Sequence, residues 1–515
     1  PVYVEAVVVT ASKVEQQIVN APATVSVVSS DTIQSSPINN FAELLREVPG
    51  MNISQTSARD YNITMRGATS TLATSQLALL DGRSLYLDFF GFIAWDLVPV
   101  NAFELKQVEV IRGPASAIWG ANALNGVINF ISKTPRELDS NNLTISAGGF
   151  NRNPANGQDL DTGSLYSVNL THAQAVNDRW AYKVSAGYFT SDAFARPTGL
   201  IPNGTGTSYP AFSNQGTSQP KFTGRVDYDD SQGRFKVVVE GGYSGTDGII
   251  HTGIGPFDMT GVNLSYGTMR YSRGTFKFNV FTNILDGNAN GLLAVGTDGR
   301  PIPFAFKTQT YDVELGDVKT IGTRQVVSYG GNARRNNFDL SIAPRGNSRT
   351  EVGAYVQDEI FINDKFRWNV GARVDKFANI DNAVFSPRTA LIFKPQANHA
   401  IRVSFNRAFR APSLINNYLD TTIINQLNLG LVNPAFAGRV FNFPVAAVGN
   451  EDLVQESTSA VELAYTGVIN NRATVSAAVY WTKNTDEIFF TQVGRYRATS
   501  PPPGWLNALS LLPPV

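Results

Sequence analysis

The chain has 515 residues, with 42 Lys+Arg against 42 Asp+Glu for a formal charge of zero, which argues against a general nucleic-acid binder. Charged residues are only 16%, well under the roughly 25% of soluble domains, while Gly reaches 44 residues and aromatics 11%. Cysteine is absent, which excludes disulfide frameworks, Fe–S clusters, Cys zinc sites and thiol catalysis, and no apolar run reaches the ~18 residues of a transmembrane helix.

The chain lacks a start Met and a signal peptide, which reads as a processed or trimmed N-terminus. Near it, Val7, Val8, Val9 and Thr10 form a β-branched run suited to adding as a strand to a partner's sheet edge, or to a plain internal strand. Residues 39–48 read as a helix ended by Pro49-Gly50, with Ile38, Phe41, Leu45 and Val48 on one stripe. Leu77-Ala78-Leu79-Leu80 runs into Asp81-Gly82, a tight-turn pair that closes a hairpin. Residues 108–111 and 126–131 read as short buried strands. Together these predict a compact α+β globule that ends near residues 133–142, where Pro135 and a polar stretch break the pattern.

After about residue 140 a period of two takes over. Trp180, Tyr182, Val184, Ala186 and Tyr188 share one face, against Ala181, Lys183, Ser185 and Gly187 on the other. Phe366, Trp368, Val370, Ala372 and Val374 alternate with Arg367, Asn369, Gly371, Arg373 and Asp375; Ile401, Val403 and Phe405 alternate with Arg402, Ser404 and Asn406. Long Gly/Asn/Ser/Pro-rich stretches at 196–220 and 416–449 read as loops, and short turns at 229–233 and 470–471 join other strands. Aromatics near strand ends, with short and long connections in turn, predict a transmembrane β-barrel of about 16 strands rather than a soluble β-sandwich.

Six segments then carry a family resemblance. VEVIRGPASAIWGANALNGVINFI at 108–131, Met65-Arg66-Gly67 and Leu80-Asp81-Gly82 resemble the plug signature of TonB-dependent outer-membrane receptors. NRAFRAPSL at 406–414 and GNEDLVQESTSAVELAY at 449–465 resemble two of that family's barrel segments. Glu5, Ala6, Val7, Val8, Val9, Thr10 and Ala11 resemble its TonB box. The resemblance implies a mainly β protein: a TonB-box-like segment at 1–15, an α+β plug at 16–138 inside the lumen, a partial barrel at 139–496 and a Pro-rich tail at 497–515. The family's plugged barrels have about 22 strands, and prolines at 501–503 and 513–514 stand where its terminal strands would follow, so the chain is expected to be a fragment or frameshifted product.

The family resemblance also implies a location in the bacterial outer membrane, surrounded by lipid. The energising partner is the periplasmic transducer TonB with its inner-membrane complex. The ligand is an extracellular small molecule, expected to be an iron–siderophore chelate, with cobalamin, haem or a glycan as alternatives and a passive porin or adhesin with a vestigial plug as another class. Arg66 and Arg112 are expected to pair with barrel-wall glutamates, among them Glu462, and so hold the plug. Ligand selection is expected on the plug apex: Arg59, Asp60 and Tyr61 on one loop, and Tyr86, Asp88, Phe89, Phe90 and Trp95 on another that presents exposed aromatics. The competing reading packs Phe89, Phe90 and Phe92 against the barrel wall. No enzyme motif, cofactor or metal site is expected: His172, His251 and His399 are far apart, and Asp159, Asp161, Asp229 and Asp230 read as ordinary turn residues rather than calcium ligands.

Overall fold

The structure is a computed structural model that describes residues 7–37, 40–67, 72–152, 161–202, 204–209, 215–470, 472–497 and 499–505. Glu5, Ala6, Ile38, Asn39, Asp159 and most of the tail lie outside them.

The plug is built on a five-stranded mixed sheet in the order Thr24–Ser29, Leu105–Arg112, Gly126–Ser132, Gln76–Leu80, Arg83–Ser84. Only the Gly126–Ser132 and Gln76–Leu80 pair is parallel. Val108, Val110, Ile128 and Phe130 are fully buried at its centre, because the sheet is covered on both faces. Asp81 and Gly82 both take positive φ, 50° and 87°, which is the two-residue hairpin turn expected there. The helix expected at 39–48 is a short turn, Phe41–Leu44, capped by the Asn40 side chain and continued as 3-10 helix over Leu45–Glu47. Phe41, Leu45 and Val48 point into the core as the stripe requires.

The barrel wall lies within one antiparallel sheet of 17 strands from Asn141–Phe150 to Ala473–Thr485. Its strands run in sequence order, except that His399–Arg410 also pairs directly with Glu456–Ile469. The chain between them, read from sequence as a loop at 416–449, instead contains the Asp420–Asn428 and Val440–Val448 hairpin, which meets the Phe276–Val295 strand at Ile424 opposite Val295. That stretch is corrected: its Asn and Gly residues hid two nine-residue strands. Among the described residues no ladder joins the first strand of the sheet to the last.

Alternation sorts the wall as expected. Val403, Val461 and Leu463 face outward, while Arg402, Ser404 and Glu462 are buried on the inner face. At the short-turn end, Trp180, Tyr228, Phe235, Tyr271 and Phe276 touch ring to ring, with centroids 4.7 to 6.5 Å apart. This is the aromatic belt of a membrane interface. Side chains on inner faces from Gly163–Ala175 round to Glu456–Ile469 bond to plug residues, so the sheet wraps the plug.

Leu463 is 53% exposed on the outer face. Leu463→Arg is expected to cost about 2–4 kcal/mol if that face meets lipid. The check is the folded fraction in outer membranes by heat-modifiable migration; an unchanged fraction would contradict the orientation.

Candidate functional site

The first functional region is the N-terminal segment. Val7–Val8 pairs with Gln16–Gln17 in a two-residue ladder. The Val9 and Thr10 amides donate to the Glu109 carboxylate, the latter at 2.8 Å. Trp119 Nε1 donates to the Thr10 carbonyl at 2.8 Å, and Arg388 of the wall donates to the Ala11 carbonyl at 3.0 Å. Val8, Thr10 and Ala11 are buried. The segment is therefore docked under the plug, held through its backbone.

The second region joins plug to wall. Arg66 ends the Tyr61–Met65 strand in a left-handed conformation, φ 54°, a costly one for a residue with a Cβ. A Cβ at Gly113 would lie 2.6 Å from Arg66 Nη1, so that glycine leaves the space through which the guanidinium passes. Arg66 there ion-pairs with Glu462, both side chains being 6% exposed. Glu462 also accepts from Thr24 Oγ1 at 2.5 Å and from Arg402 Nη2 at 2.6 Å. Arg112, expected beside Arg66 in the same role, donates instead to the Pro49 carbonyl at 2.9 Å, and no ion pair of Arg112 occurs among the described residues. The partner that sequence reasoning missed is Arg402; its signal was present, since alternation puts it on the inner face, and its strand pairs directly with that of Glu462.

Further pairs ring the plug. Asp81 receives Arg270 at 3.3 Å and Arg225 at 3.7 Å from the wall, with Ser132 donating through both its amide and its hydroxyl. Burial alone would raise the Asp81 carboxyl; Arg270, Arg225 and the Ser132 bonds outweigh it and hold it below the usual carboxylate range. Glu104 meets Lys183 at 2.6 Å, and Asp88 ion-pairs with Arg349.

The apex differs from the expectation of exposed aromatics. Phe89 stacks on Phe306 of the wall, centroids 5.5 Å apart, and half-buried Phe90 meets Phe304 edge-on at 5.6 Å. Trp95 lies against Phe130, and Tyr86 donates to the Thr74 carbonyl. All but Phe90 are buried, and Asp88 is taken by Arg349. The loop is inside the lumen, so its aromatics fill the gap to the wall rather than face outward. Arg59 is buried in a 2.8 Å pair with Asp96, and Asp60 accepts from the His251 amide at 3.1 Å. Tyr61, half-buried and hydrogen-bonded to Glu43, lines a cavity of about 700 Å³ with Glu43, Arg152 and Phe194. Burial and the nearby Glu43 push its hydroxyl up, so it is a neutral donor. A second cavity of about 190 Å³ shares Ala58, Phe194 and Ala195 with the first and adds Arg196, Tyr209 and His251. Among the described residues no group of three or more metal-ligating side chains occurs.

With this geometry in hand, known proteins are informative. Residues 17–127 match the family model for the TonB-dependent receptor plug domain, and residues 116–507 match that for the TonB dependent receptor-like β-barrel. The iron-regulated outer membrane virulence protein of Vibrio cholerae (strain O395) is 25% identical over 431 residues, which is 80% of this chain and 60% of that protein. The vitamin B12 transporter BtuB of Vibrio vulnificus (strain CMCP6) is 31% identical over 154 residues, 30% of this chain and 24% of that one. The chain thus spans less than two thirds of these relatives. The siderophore receptor PirA from Pseudomonas aeruginosa superposes with a TM-score of 0.66 at 18% identity, covering 93% of this chain and 78% of that one, which establishes a shared fold.

Glu462→Gln should strand two buried guanidiniums and weaken plug docking by about 3–5 kcal/mol, seen as a lower urea midpoint for plug release and a higher leak conductance. Arg112→Ala, losing one carbonyl bond, should cost about 1 kcal/mol; equal effects would mean that Glu462 is no anchor. A lowered carboxyl stabilises the fold above its unfolded value near pH ~4 and loses that contribution as pH falls through its folded value. Native protein and Asp81→Asn should therefore differ in plug stability at neutral pH and converge in strong acid; a constant gap would contradict the pairing.

Proposed function

The chain belongs to the TonB-dependent receptors of the bacterial outer membrane, and on that premise we propose that it is an energised importer whose cargo is an iron–siderophore complex. The observation that carries the reading is a plug filling the lumen on buried ion pairs, with a β-branched N-terminal segment docked at its short-turn end. The outer membrane has no nucleotide supply, so work must arrive mechanically from the periplasm. TonB is the proposed source. It would compete for Val7–Thr10 against a ladder of only two residue pairs, which is marginal by itself, and against the Glu109 bonds.

The cargo assignment is supported from two sides. The iron-regulated relative matches 80% of this chain, whereas the B12 transporter matches 30%. The two adjoining apex cavities bring Arg152, Arg196, His251, Tyr61 and Tyr209 near the Phe194 ring, a set that suits an anionic, partly aromatic chelate. Asp60, Asp88, Phe89 and Phe90 then act as support for that surface through His251, Arg349, Phe306 and Phe304 of the wall, and Arg59, Tyr86 and Trp95 through Asp96, Thr74 and Phe130 within the plug, rather than as ligand contacts.

Deletion of residues 4–11 should abolish energised uptake of a radiolabelled ferric siderophore while leaving its binding intact. Uptake that survives the deletion would favour a passive pore. Growth of a receptor-deficient strain restored by cobalamin but not by any ferric siderophore would overturn the cargo assignment.

A further inference from the structure

Two cavities lie one beyond the other between plug and wall. The lower, of about 400 Å³, lies at the short-turn end beside Thr275 and Lys277. The upper, of about 40 Å³, lies between plug residues Ser84 and Ala121 and wall residues Asp312, Asn332 and Arg334. Lys13, Gly82, Trp119 and Glu314 line both, so these four residues form the partition.

Lys13 is the charged plug residue at the centre of this partition. Its ammonium ion-pairs with Glu314 of the wall and lies 4.6 Å from the Trp119 ring and 4.8 Å from the Tyr355 ring. The Lys277 ammonium lies 3.5 Å from its carbonyl. Its backbone is left-handed, φ 59°, a conformation that a side chain with a Cβ keeps only while its surroundings enforce it. Lys13 follows Ala11 by two residues, and Thr10 is itself bonded to Trp119. Displacement of Val7–Ala11 therefore draws on both Lys13 and the ring beneath it.

We infer that Lys13 is a gate that couples the N-terminal segment to a passage along one side of the plug: withdrawing its ammonium from between Trp119, Tyr355 and Glu314 joins the two cavities. The joined space is bordered by Asp312, Glu314, Arg334 and Arg373. Both signs of charge line the narrow upper cavity, which suits a polar, hydrated solute there, whereas the wider lower cavity is lined mainly by apolar side chains such as Ile131, Val238 and Phe278. The inference rests on the proposed role of Val7–Ala11 as the point of traction, but the gate itself can be tested without transport.

The chain has no cysteine, so a single introduced one reports cleanly. Ala121→Cys places a thiol in the upper cavity and Ser272→Cys one in the lower. The purified receptor in nanodiscs is treated with a small cationic methanethiosulfonate, its fold being checked by heat-modifiable migration. Ser272→Cys should react at one rate whatever stands at 13. Ala121→Cys should react slowly with Lys13, about tenfold faster with Lys13→Ala or Glu314→Gln, and slowly again with Lys13→Arg. Glu314→Gln releases the ammonium without altering the plug, which separates gating from plug damage. Rapid reaction at 121 with Lys13 present, no acceleration in either variant, or an unreactive Ser272→Cys would each overturn the gate. Those results would leave the uptake reading standing, and uptake that ignores residues 4–11 would leave the cavity result standing.

Discussion

A barrel in lipid must turn its apolar side chains outward, so its polar ones crowd the bore, and the fold depends on neutralising them there. Glu462 is the clearest case. One buried carboxylate lies between the guanidiniums of Arg66 from the plug and Arg402 from the wall, with the Thr24 hydroxyl completing the set. A buried ion pair adds little net stability compared with apolar packing, yet breaking one side of it is costly. The contact therefore specifies where the plug sits more than how strongly the protein folds. Plug and wall depend on each other at this contact because the Arg66 guanidinium of the plug finds its carboxylate only on the wall.

The backbone is shaped around this contact. Arg66 accepts a left-handed conformation and Gly113 gives up its side chain, so two separate glycine–arginine motifs, at 65–67 and 111–114, serve one guanidinium. Around the rest of the circumference the same principle recurs with Asp81, Asp88 and Glu104, each facing a wall cation. A seam made of separate ion pairs is firm at rest but yields to force, since each group can be taken up by water as it parts. An apolar seam of the same area would resist sliding and expose greasy surface once opened. This is the mechanical character that the proposed importer requires.

Much of this was legible in the chain. Period-two alternation sorted Val403 from Arg402 and Leu463 from Glu462, because a strand has only two faces and lipid tolerates one kind. The Asp81-Gly82 turn was legible because few residue pairs accept positive φ twice. The misreadings share a cause: sequence shows composition, whereas burial depends on what lies opposite. Tyr86, Phe89 and Trp95 looked like an exposed binding loop, but a loop inside a lumen meets Phe304 and Phe306 instead of solvent. The 416–449 stretch looked like coil because its two strands pair mainly with each other and only a few of their side chains, such as Ile423 and Ala447, pack on the core. Arg112 resembled Arg66 in its setting, and only the three-dimensional register gives one of them Glu462 and the other a carbonyl.

The central claim is that Arg66 and Glu462 hold plug to wall as a directly coupled pair. A double-mutant cycle with Arg66→Met and Glu462→Gln, read as the urea midpoint for plug release, measures that coupling free of each residue's other contacts. The account predicts a favourable coupling of about 2–3 kcal/mol; strictly additive single effects would contradict it.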